Sequence, residues 1–293
     1  MNLLPRYSPF SRCLAGAGFL LALSLGSCTE EKKAVVPAPT PPPAPPANSE
    51  AKDYNAYTEL VWSDEFNGGA LDQAKWGFDL GAGGWGNREL QTYTNSTENV
   101  FTGGGILTIK AVKPISGSPA YTSGRILTKG KRSFVFGRID VRAKIPKGKG
   151  IWPAIWMLGA DIDQNNWPKC GEIDIMELRG SKPRELLSTM HYANAAGTRE
   201  LKGTTAVQPA DLSDAFHVYS MVRSQDQIRV YIDGTQFYSF GKADVGSGPY
   251  PFNNPFFVIL NVAVGGDFDG DPNATTTFPQ QMDVDYVKFF QYK

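Results

Sequence analysis

The sequence has little cysteine, little histidine and no net charge. Its 293 residues include three cysteines and two histidines, and 29 basic residues are balanced by 29 acidic ones. A zero net charge gives no electrostatic reason to expect binding to nucleic acid or to a polyanionic substrate. So few cysteines and histidines offer neither a disulfide framework nor an evident Cys/His metal-ligand set. The fold must therefore depend on a hydrophobic core, for which 41% hydrophobic residues are available.

The N-terminus has the pattern of an export signal. Arg6 and Arg12 precede an apolar run, 14–25, that is too short to span a bilayer comfortably. The following Leu25-Gly-Ser-Cys28 resembles the lipobox of bacterial lipoproteins, in which the cysteine is acylated and becomes the new N-terminus. We interpret residues 1–27 as a lipoprotein signal peptide and Cys28 as the lipidation site. The alternative is an ordinary signal peptide followed by a chance cysteine.

A proline-dense stretch follows Cys28, and we interpret residues 28–53 as an acylated cysteine with a linker. Such a segment forms no core and is expected to hold the folded part away from a membrane. This organisation predicts an exported protein, lipid-anchored in the cell envelope at the outer membrane or cell surface. With Cys28 acylated, Cys170 is the remaining thiol of the mature chain, which excludes an intrachain disulfide.

From residue 54 onward the hydrophobic pattern has period two and little helix signal. In 134–145, Val135, Ile139 and Val141 fall on one face, and charged residues fall on the other. The pair Asp233-Gly234 predicts a two-residue hairpin turn. Many short strands at this spacing predict one all-β domain, 54–293, built as a sandwich or barrel. The other predicted strands are 106–112, 216–222, 229–232, 235–240, 256–264 and 282–292.

Two segments, 151–158 and 256–264, are apolar on both faces, which is typical of central strands covered on both sides. Trp152 and Trp156 share parity in the first segment and so lie on one face. Their indole rings serve either core packing or stacking against a sugar. Asn261 is a single amide in the second segment, and we expect it to have a hydrogen-bond partner.

Three acidic residues, Glu172, Asp174 and Glu177, lie in an otherwise apolar segment. On a strand, Glu172 and Asp174 point to one face, and Glu177 joins them only if a β-bulge near Ile175-Met176 inserts an extra residue. One of three crowded acids is expected to keep its proton near neutral pH. A protonated acid beside an ionised one is what glycoside hydrolysis requires. A solvated strand face and a cation site are the alternatives.

Several further motifs occur together with this acidic segment. The set resembles glycoside hydrolase family 16, and in particular laminarinase-like endo-1,3-β-glucanases, over about residues 59–292. The acidic segment has the family's bulged Glu-x-Asp-x-x-Glu form. The resemblance implies an all-β jelly-roll sandwich of two curved antiparallel sheets with a concave substrate cleft. The motifs that carry it are 61–67, 84–91, 121–126, 148–156, 171–177, 255–266 and 282–287.

The resemblance also implies roles for individual residues. Glu172 would be the nucleophile, Asp174 the assisting residue and Glu177 the general acid/base of a retaining double displacement. No cofactor would be needed for catalysis. A structural calcium ion would be bound by the side chain of Asp285 and by backbone oxygens near Glu65 and Gly105. The substrate-binding positions would be Trp85, Asn87, Arg125, Trp152, Trp156, His191 and Gln281.

The expected activity is endo-hydrolysis of β-1,3-glucan such as laminarin, by a monomer whose membrane contact is its lipid anchor. Mixed-linkage β-1,3-1,4-glucan and a marine galactan are alternative substrates. A noncatalytic surface glycan-binding lipoprotein is the alternative of another class. Phe268 departs from the family's tryptophan, which puts the acceptor-side subsites in doubt. We interpret the aspartate-rich segment 267–273 as a turn, Cys170 as a small buried residue and His217 as structural.

Overall fold

The computed structural model describes residues 49–113 and 121–293. The predicted signal peptide 1–27, the lipidation site Cys28 and most of the predicted linker therefore lie outside the described residues. Within the described ranges, the chain forms short 3-10 helices at Tyr54–Ala56, Gly84–Gly86, Lys242–Val245 and Pro251–Asn253. Its strands are β1 (Glu59–Asp64), β2 (Gly77–Phe78), β3 (Thr92–Tyr93), β4 (Val100–Gly103), β5 (Ile106–Ala111), β6 (Thr122–Ser123), β7 (Arg125–Leu127), β8 (Gly137–Lys144), β9 (Ile151–Gly159), β10 (Glu172–Leu178), β11 (Glu185–Ala193), β12 (Arg199–Val207), β13 (His217–Ser224), β14 (Gln227–Ile232), β15 (Thr235–Gly241), β16 (Phe256–Val264) and β17 (Gln280–Gln291).

The strands form two large antiparallel sheets, which confirms the predicted jelly-roll sandwich. One sheet has eight strands in the order β15-β14-β13-β8-β17-β5-β4, with β1 also paired to β17. The other has seven strands in the order β12-β11-β10-β9-β16-β7-β2. A small parallel pair, β3 and β6, lies apart from both. Strands that are distant in sequence are thus neighbours in space, so one sheet collects residues from all parts of the domain.

A single large hydrophobic core fills the space between the two sheets. Alternate residues of β8, such as Ile139 and Val141, enter this core, as the period-two pattern predicts. The central strands β9 and β16 are apolar on both faces because a second cluster covers them on the other side. That smaller cluster contains Leu158, Phe257 and the fully buried Cys170. The interpretation of Cys170 as a buried residue is confirmed, and burial raises the pKa of its thiol to about 11.

The hairpin predicted at Asp233-Gly234 is confirmed. The turn joins β14 to β15, and both residues have positive φ, 47° and 78°. Two successive positive φ angles define the type I′ turn, whose twist matches that of the flanking strands. His217 lies near this turn, where its Nδ1 is 2.7 Å from Oδ2 of Asp233. That contact places His217 at the end of a hairpin on the eight-stranded sheet, in agreement with a structural role.

The segment before β1 packs on the outer face of the eight-stranded sheet. Tyr57 is fully buried there against Val222 and Tyr231. The Arg229 guanidinium donates a 2.5 Å hydrogen bond to the carbonyl of Lys52. Contacts with the domain therefore begin before residue 54, inside the segment predicted as a linker. Within 49–113 and 121–293, none of the helices is both long and apolar enough to cross a membrane.

Candidate active site

The predicted β-bulge is present in β10 and lies at Ile175-Met176. Opposite β11, Asp174 pairs with Thr189 and Glu177 with Leu187, so three steps along β10 match two along its neighbour. The pairing with β9 is interrupted in the same place, between Asp174 and Met176. The bulge therefore turns Glu177 to the same face of β10 as Glu172 and Asp174, whereas strict alternation would place it on the opposite face.

The bulge separates the side chains of β10 into two sets. Ile173, Ile175, Met176 and Leu178 point into the core between the sheets. The three acids point to the opposite face, where they line a cleft of about 770 Å³ together with residues of β7, β9, β11, β12, β16 and three loops. The apolar set fixes the strand in the core and so fixes the direction in which the carboxylates point.

Both oxygens of the Glu172 carboxylate have a partner. The Trp167 indole Nε1 donates a 2.9 Å hydrogen bond to Oε2. The His191 Nε2 lies 3.5 Å from Oε1 and 3.2 Å from Oδ2 of Asp174. His191 comes from β11, directly opposite Glu172 in the register. The carboxylate is therefore held between a loop residue and a neighbouring strand, which restricts its rotation.

Glu177 has a different environment from Glu172. Its carboxylate is buried and accepts a 3.0 Å hydrogen bond from the Trp152 indole Nε1. The Trp152 ring stacks against Phe268, with the ring centroids 4.7 Å apart. Phe268, which stands where the family has a tryptophan, thus forms part of the cleft wall beside Glu177.

Burial is the main cause that raises the pKa of all three acids. The pKa of Glu177 lies well above its usual value because of burial, and the charges of Asp174 and Glu172 raise it further. The pKa of Asp174 is also well above its usual value, from burial and the Glu172 charge. Burial raises the pKa of Glu172 too, but His191, Trp167 and Arg125 favour its ionised form. Glu177 is accordingly the acid suited to keep a proton, and Glu172 the better carboxylate.

Arg125 lies between two tryptophan rings in the cleft. Its guanidinium carbon is 4.8 Å from the Trp85 ring centroid and 4.7 Å from that of Trp156, and its Nε is 2.8 Å from Oδ2 of Asp79. The Trp156 indole donates a 2.7 Å hydrogen bond to Oδ1 of Asn261. That contact supplies the partner expected for Asn261, and both residues line the cleft.

Asn87 lies in the cleft beside an acidic residue that the sequence analysis did not single out. The Asn87 amide donates a 3.0 Å hydrogen bond to Oε1 of Glu89. Gln91 and Tyr93 donate to the other oxygen of Glu89, at 2.6 and 3.3 Å. This network fixes the amide and carboxylate groups of the loop toward the cleft, where they can bind sugar hydroxyls.

The segment 267–273 forms a turn, as predicted, and its central aspartate has a structural role. The buried carboxylate of Asp269 accepts hydrogen bonds from the backbone amides of Gly150 and Ser181, at 2.8 and 3.1 Å, and from the Ser181 hydroxyl. The Lys149 ammonium lies 3.5 Å away. Asp269 thus joins three loops and supports the adjacent Phe268.

Gln281 is the predicted substrate-binding residue that the structure does not bring into the cleft. It lies on β17 of the other sheet, is exposed, and donates hydrogen bonds of 2.9 and 3.0 Å to the Asp283 carboxylate. Met282 and Val284 point into the core, so the intervening odd-numbered positions face outward. The assignment of Gln281 to the substrate site is therefore wrong in this structure.

Two cleft residues carried no signal in the sequence analysis. Trp167 lies in the loop before β10 and is 41% exposed. Arg199 lies on the edge strand β12, whose residues are mostly exposed on both faces, so burial gives no clear alternation. Both line the cleft beside Glu172.

The side chains of Glu172, Asp174 and His191 also offer ligand atoms within 4.8 Å of one another, as a cation site would. A metal ion requires deprotonated carboxylates. Burial instead raises the pKa of both acids. In the ion-free site these acids are therefore suited to proton transfer.

An antiparallel β-sandwich with clustered carboxyl groups of raised pKa in an open cleft lined by tryptophans is typical of a glycoside hydrolase. Comparison with known families gives the same class: residues 87–288 match the glycosyl hydrolases family 16. The chain belongs to this family.

Individual relatives agree with the family. The chain is 41% identical over 257 residues to a glucan endo-1,3-beta-glucosidase A1 of Niallia circulans, and the match covers 79% of this chain but 38% of the relative. It is 40% identical to a beta-glucanase of Rhodothermus marinus, with 83% and 89% covered. The laminarinase catalytic domain of Thermotoga maritima MSB8 has a TM-score of 0.74 and 41% identity, with 80% of this chain and 98% of that domain covered.

Proposed function

We propose that this protein is an endo-acting glycosidase that hydrolyses β-1,3-glucan of the laminarin type with retention of configuration. The observation that carries the proposal is the bulge in β10, which places Glu172 and Glu177 on one wall of the cleft in different environments. Retaining enzymes need two carboxyl groups with different protonation states on either side of the scissile bond. The names of the relatives described above support β-1,3-glucan as the substrate.

In the proposed mechanism, Glu172 attacks the anomeric carbon while Glu177 protonates the departing glycosidic oxygen. This forms a covalent glycosyl-enzyme and leaves Glu177 ionised. Glu177 then takes a proton from water, which attacks the anomeric carbon and releases Glu172. Asp174 assists because its protonation state affects the pKa of Glu172 and of Glu177. The Nε2 of His191 lies between the carboxyl groups of Asp174 and Glu172. Chain residues perform each of these steps, and none requires a cofactor.

The competing substrates are mixed-linkage β-1,3-1,4-glucan and a galactan, and the competing class is a noncatalytic glycan-binding protein. The raised pKa of Glu177 is needed by an acid catalyst and has no use in simple glycan binding. The sandwich of Trp85, Arg125 and Trp156 gives the cleft flat surfaces on which the apolar faces of sugars can stack. We therefore favour catalysis on glucan.

The test is digestion of laminarin, lichenan and agarose side by side, with product sizing and detection of the first anomer released by NMR. Glu172→Gln and Glu177→Gln should each lower laminarin hydrolysis by at least about 100-fold. Glu200→Gln, on the exposed edge strand, is the matched control and should keep full activity. Substantial activity in both active-site variants, or an inverted first product, would contradict the proposal.

We further propose that Cys28 is lipidated and that the protein is exported and anchored in the cell envelope. The support is the sequence pattern of residues 1–28 and the proline-rich stretch after it. Inhibition of the lipoprotein signal peptidase should leave an uncleaved precursor, and Cys28→Ala should release the protein from membranes. Normal maturation under the inhibitor would contradict the lipid anchor. The protein is proposed to act as a monomer, which light scattering can test.

A structural calcium ion remains a proposal, and its donor set fits in part. A Cβ added to Gly105 would lie 3.1 Å from Oδ1 of Asn67 and 4.0 Å from the Glu65 carbonyl, so oxygens converge there. Such oxygens are the ligands that calcium takes. The carboxylate of Asp285, however, is bonded at 2.5 Å to Arg142 and would have to exchange this partner for the ion. Thermal unfolding with calcium and with EDTA tests the proposal: equal melting temperatures would contradict it.

A further inference from the structure

The side chain of Arg199 contacts both residues that hold the Glu172 carboxylate. Its Nη2 is 3.2 Å from Nδ1 of His191. Its guanidinium carbon is 5.3 Å from the centroid of the Trp167 ring. Arg199 begins β12, the edge strand of the seven-stranded sheet, and lines the cleft from that side.

These two contacts lead to the two oxygens of the same carboxylate. Trp167 donates to Oε2 of Glu172 at 2.9 Å, and His191 faces Oε1 at 3.5 Å. Arg199 itself is one layer further out, so its contacts reach the carboxylate through these residues, and its charge acts on the carboxylate at longer range. Removing it would therefore loosen both supports at once and would take away no direct contact with the carboxylate.

The hydrogen bond to His191 also fixes the position of a proton. A guanidinium is always protonated and can only donate, so Nδ1 of His191 has to accept. The neutral imidazole must then carry its proton on Nε2. That nitrogen is the one 3.2 Å from Oδ2 of Asp174 and 3.5 Å from Oε1 of Glu172. The proton thus lies on the ring nitrogen nearer to the acids, although its contact with Oδ2 of Asp174 does not have hydrogen-bond geometry.

We propose that Arg199 is a positioning residue that holds His191 in its Nε2–H tautomer and braces Trp167, and thereby orients the carboxylate of Glu172 for attack. The proposal rests on the proposed function of Glu172 as the nucleophile. It adds a residue of the edge strand to the machinery of the site, at a distance from the reacting atoms.

The pH dependence follows from the charges around Glu172. His191, Arg125 and Arg199 favour its ionised form, as does the Trp167 hydrogen bond, while Asp174 and Glu177 on its own strand oppose it. Loss of the Arg199 charge raises the pKa of Glu172. The acidic limb of kcat/KM, which reports ionisation of Glu172 in the free enzyme, therefore moves to higher pH.

The variants are Arg199→Met, which keeps an apolar stem without a donor, and Arg199→Lys, which restores a charged donor. The matched control is Lys202→Met on the same strand, since Lys202 pairs with Asp244 away from the cleft. For Arg199→Met we expect kcat on laminarin to fall roughly 10- to 100-fold, KM to change little, and the acidic limb to move upward. Arg199→Lys should recover part of kcat, and Lys202→Met should match the wild type.

The decisive readout is the ¹⁵N spectrum of the free protein, which reports histidine tautomers without any substrate. The sequence has two histidines, so His191→Gln assigns the His191 signals. We expect the Nε2–H form in the wild type and in Arg199→Lys, and a mixture with the Nδ1–H form in Arg199→Met. An unchanged tautomer and an unchanged acidic limb in Arg199→Met would overturn the proposal. Failure of the wild type to hydrolyse laminarin would overturn the proposed function and leave the tautomer result intact.

Discussion

The indole Nε1 of Trp152 donates a 3.0 Å hydrogen bond to Oε1 of Glu177, from the neighbouring strand and on the same face of the sheet. This N–H is the hydrogen-bond donor that favours the ionised form of an otherwise desolvated carboxyl group. Trp152 therefore does more than provide a flat surface for sugar. Its hydrogen bond opposes the rise in the pKa of Glu177 that burial and the neighbouring acids cause, and so lowers the pH at which this acid loses its proton.

Replacement of Trp152 by phenylalanine should move the basic limb of the pH–rate profile to higher pH. The change removes the N–H that stabilises ionised Glu177, so the pKa of Glu177 rises further. Activity that requires protonated Glu177 is then retained to a higher pH. The profile of kcat/KM against pH, which reports the free enzyme, measures this shift.

The matched comparison is Trp156→Phe. In the part of the chain that the structure describes, Trp156 donates to Asn261 and forms no hydrogen bond with Glu177, so its loss should weaken substrate binding without moving the basic limb. An equal shift in both variants would show that the pKa of Glu177 responds to general changes in the cleft and not to the Trp152 hydrogen bond.

Parity in the sequence was sufficient to predict the central part of the site. Glu172, Asp174 and Glu177 can share a face only with one extra residue between the last two, and the structure has it at Ile175-Met176. Trp152 and Trp156, four residues apart on β9, needed no irregularity at all. Side chains on regular, half-buried strands can be placed from sequence. Once the apolar residues of a strand are buried on one face, the alternate residues must point to the other face.

The rest of the site could not be placed in this way. Trp167 lies in a loop, where no period applies. Arg199 lies on an edge strand that is mostly exposed on both faces, so hydrophobic alternation gives no clear signal. Gln281 is the instructive error. Its parity relative to Met282 and Val284 indicates the outer face of the sheet, in conflict with the role that the family resemblance implies.

Removal of the Asp269 carboxylate should destabilise the domain and loosen the Phe268 wall. In Asp269→Ala, the backbone amides of Gly150 and Ser181 lose a buried acceptor. Unpaired buried donors cost on the order of 3 kcal/mol together. Urea unfolding measures the loss, and laminarin KM should rise because Phe268 is less well fixed. Asp271→Ala, an exposed change two residues away, is the control and should have neither effect.

Shortening the bulge should preserve the facing of Glu177. Deletion of Met176 leaves regular alternation, in which Glu177 still points to the cleft. The deletion removes a fully buried side chain and should cost roughly 2–5 kcal/mol of stability. We expect laminarin hydrolysis above that of Glu177→Gln. Deletion of both Ile175 and Met176 turns Glu177 toward the core and should abolish activity, and equal activity of the two deletions would contradict the parity argument.

Glu177→Gln should stabilise the protein, and increasingly so as the pH rises. The pKa of Glu177 is raised in the folded state, so the folded protein binds this proton more tightly than the unfolded chain does. Its contribution is therefore fully present below the unfolded pKa of about 4.3 and is lost as the pH rises through the folded pKa. Each unit of that shift corresponds to about 1.4 kcal/mol.

Glutamine is neutral at every pH and can still accept the Trp152 hydrogen bond. The free energies of unfolding of wild type and Glu177→Gln should thus agree near pH 4 and diverge toward pH 8, with the variant more stable by at least about 1 kcal/mol. Urea titrations at a series of pH values measure the difference. Glu50→Gln is the control, because the Lys52 hydrogen bond lowers the pKa of this exposed carboxyl group. Glu50→Gln should gain no stability as the pH rises. A wild type as stable as Glu177→Gln at pH 8 would contradict the prediction. It would mean that Glu177 is ionised there at no energetic cost, despite its burial beside Asp174 and Glu172.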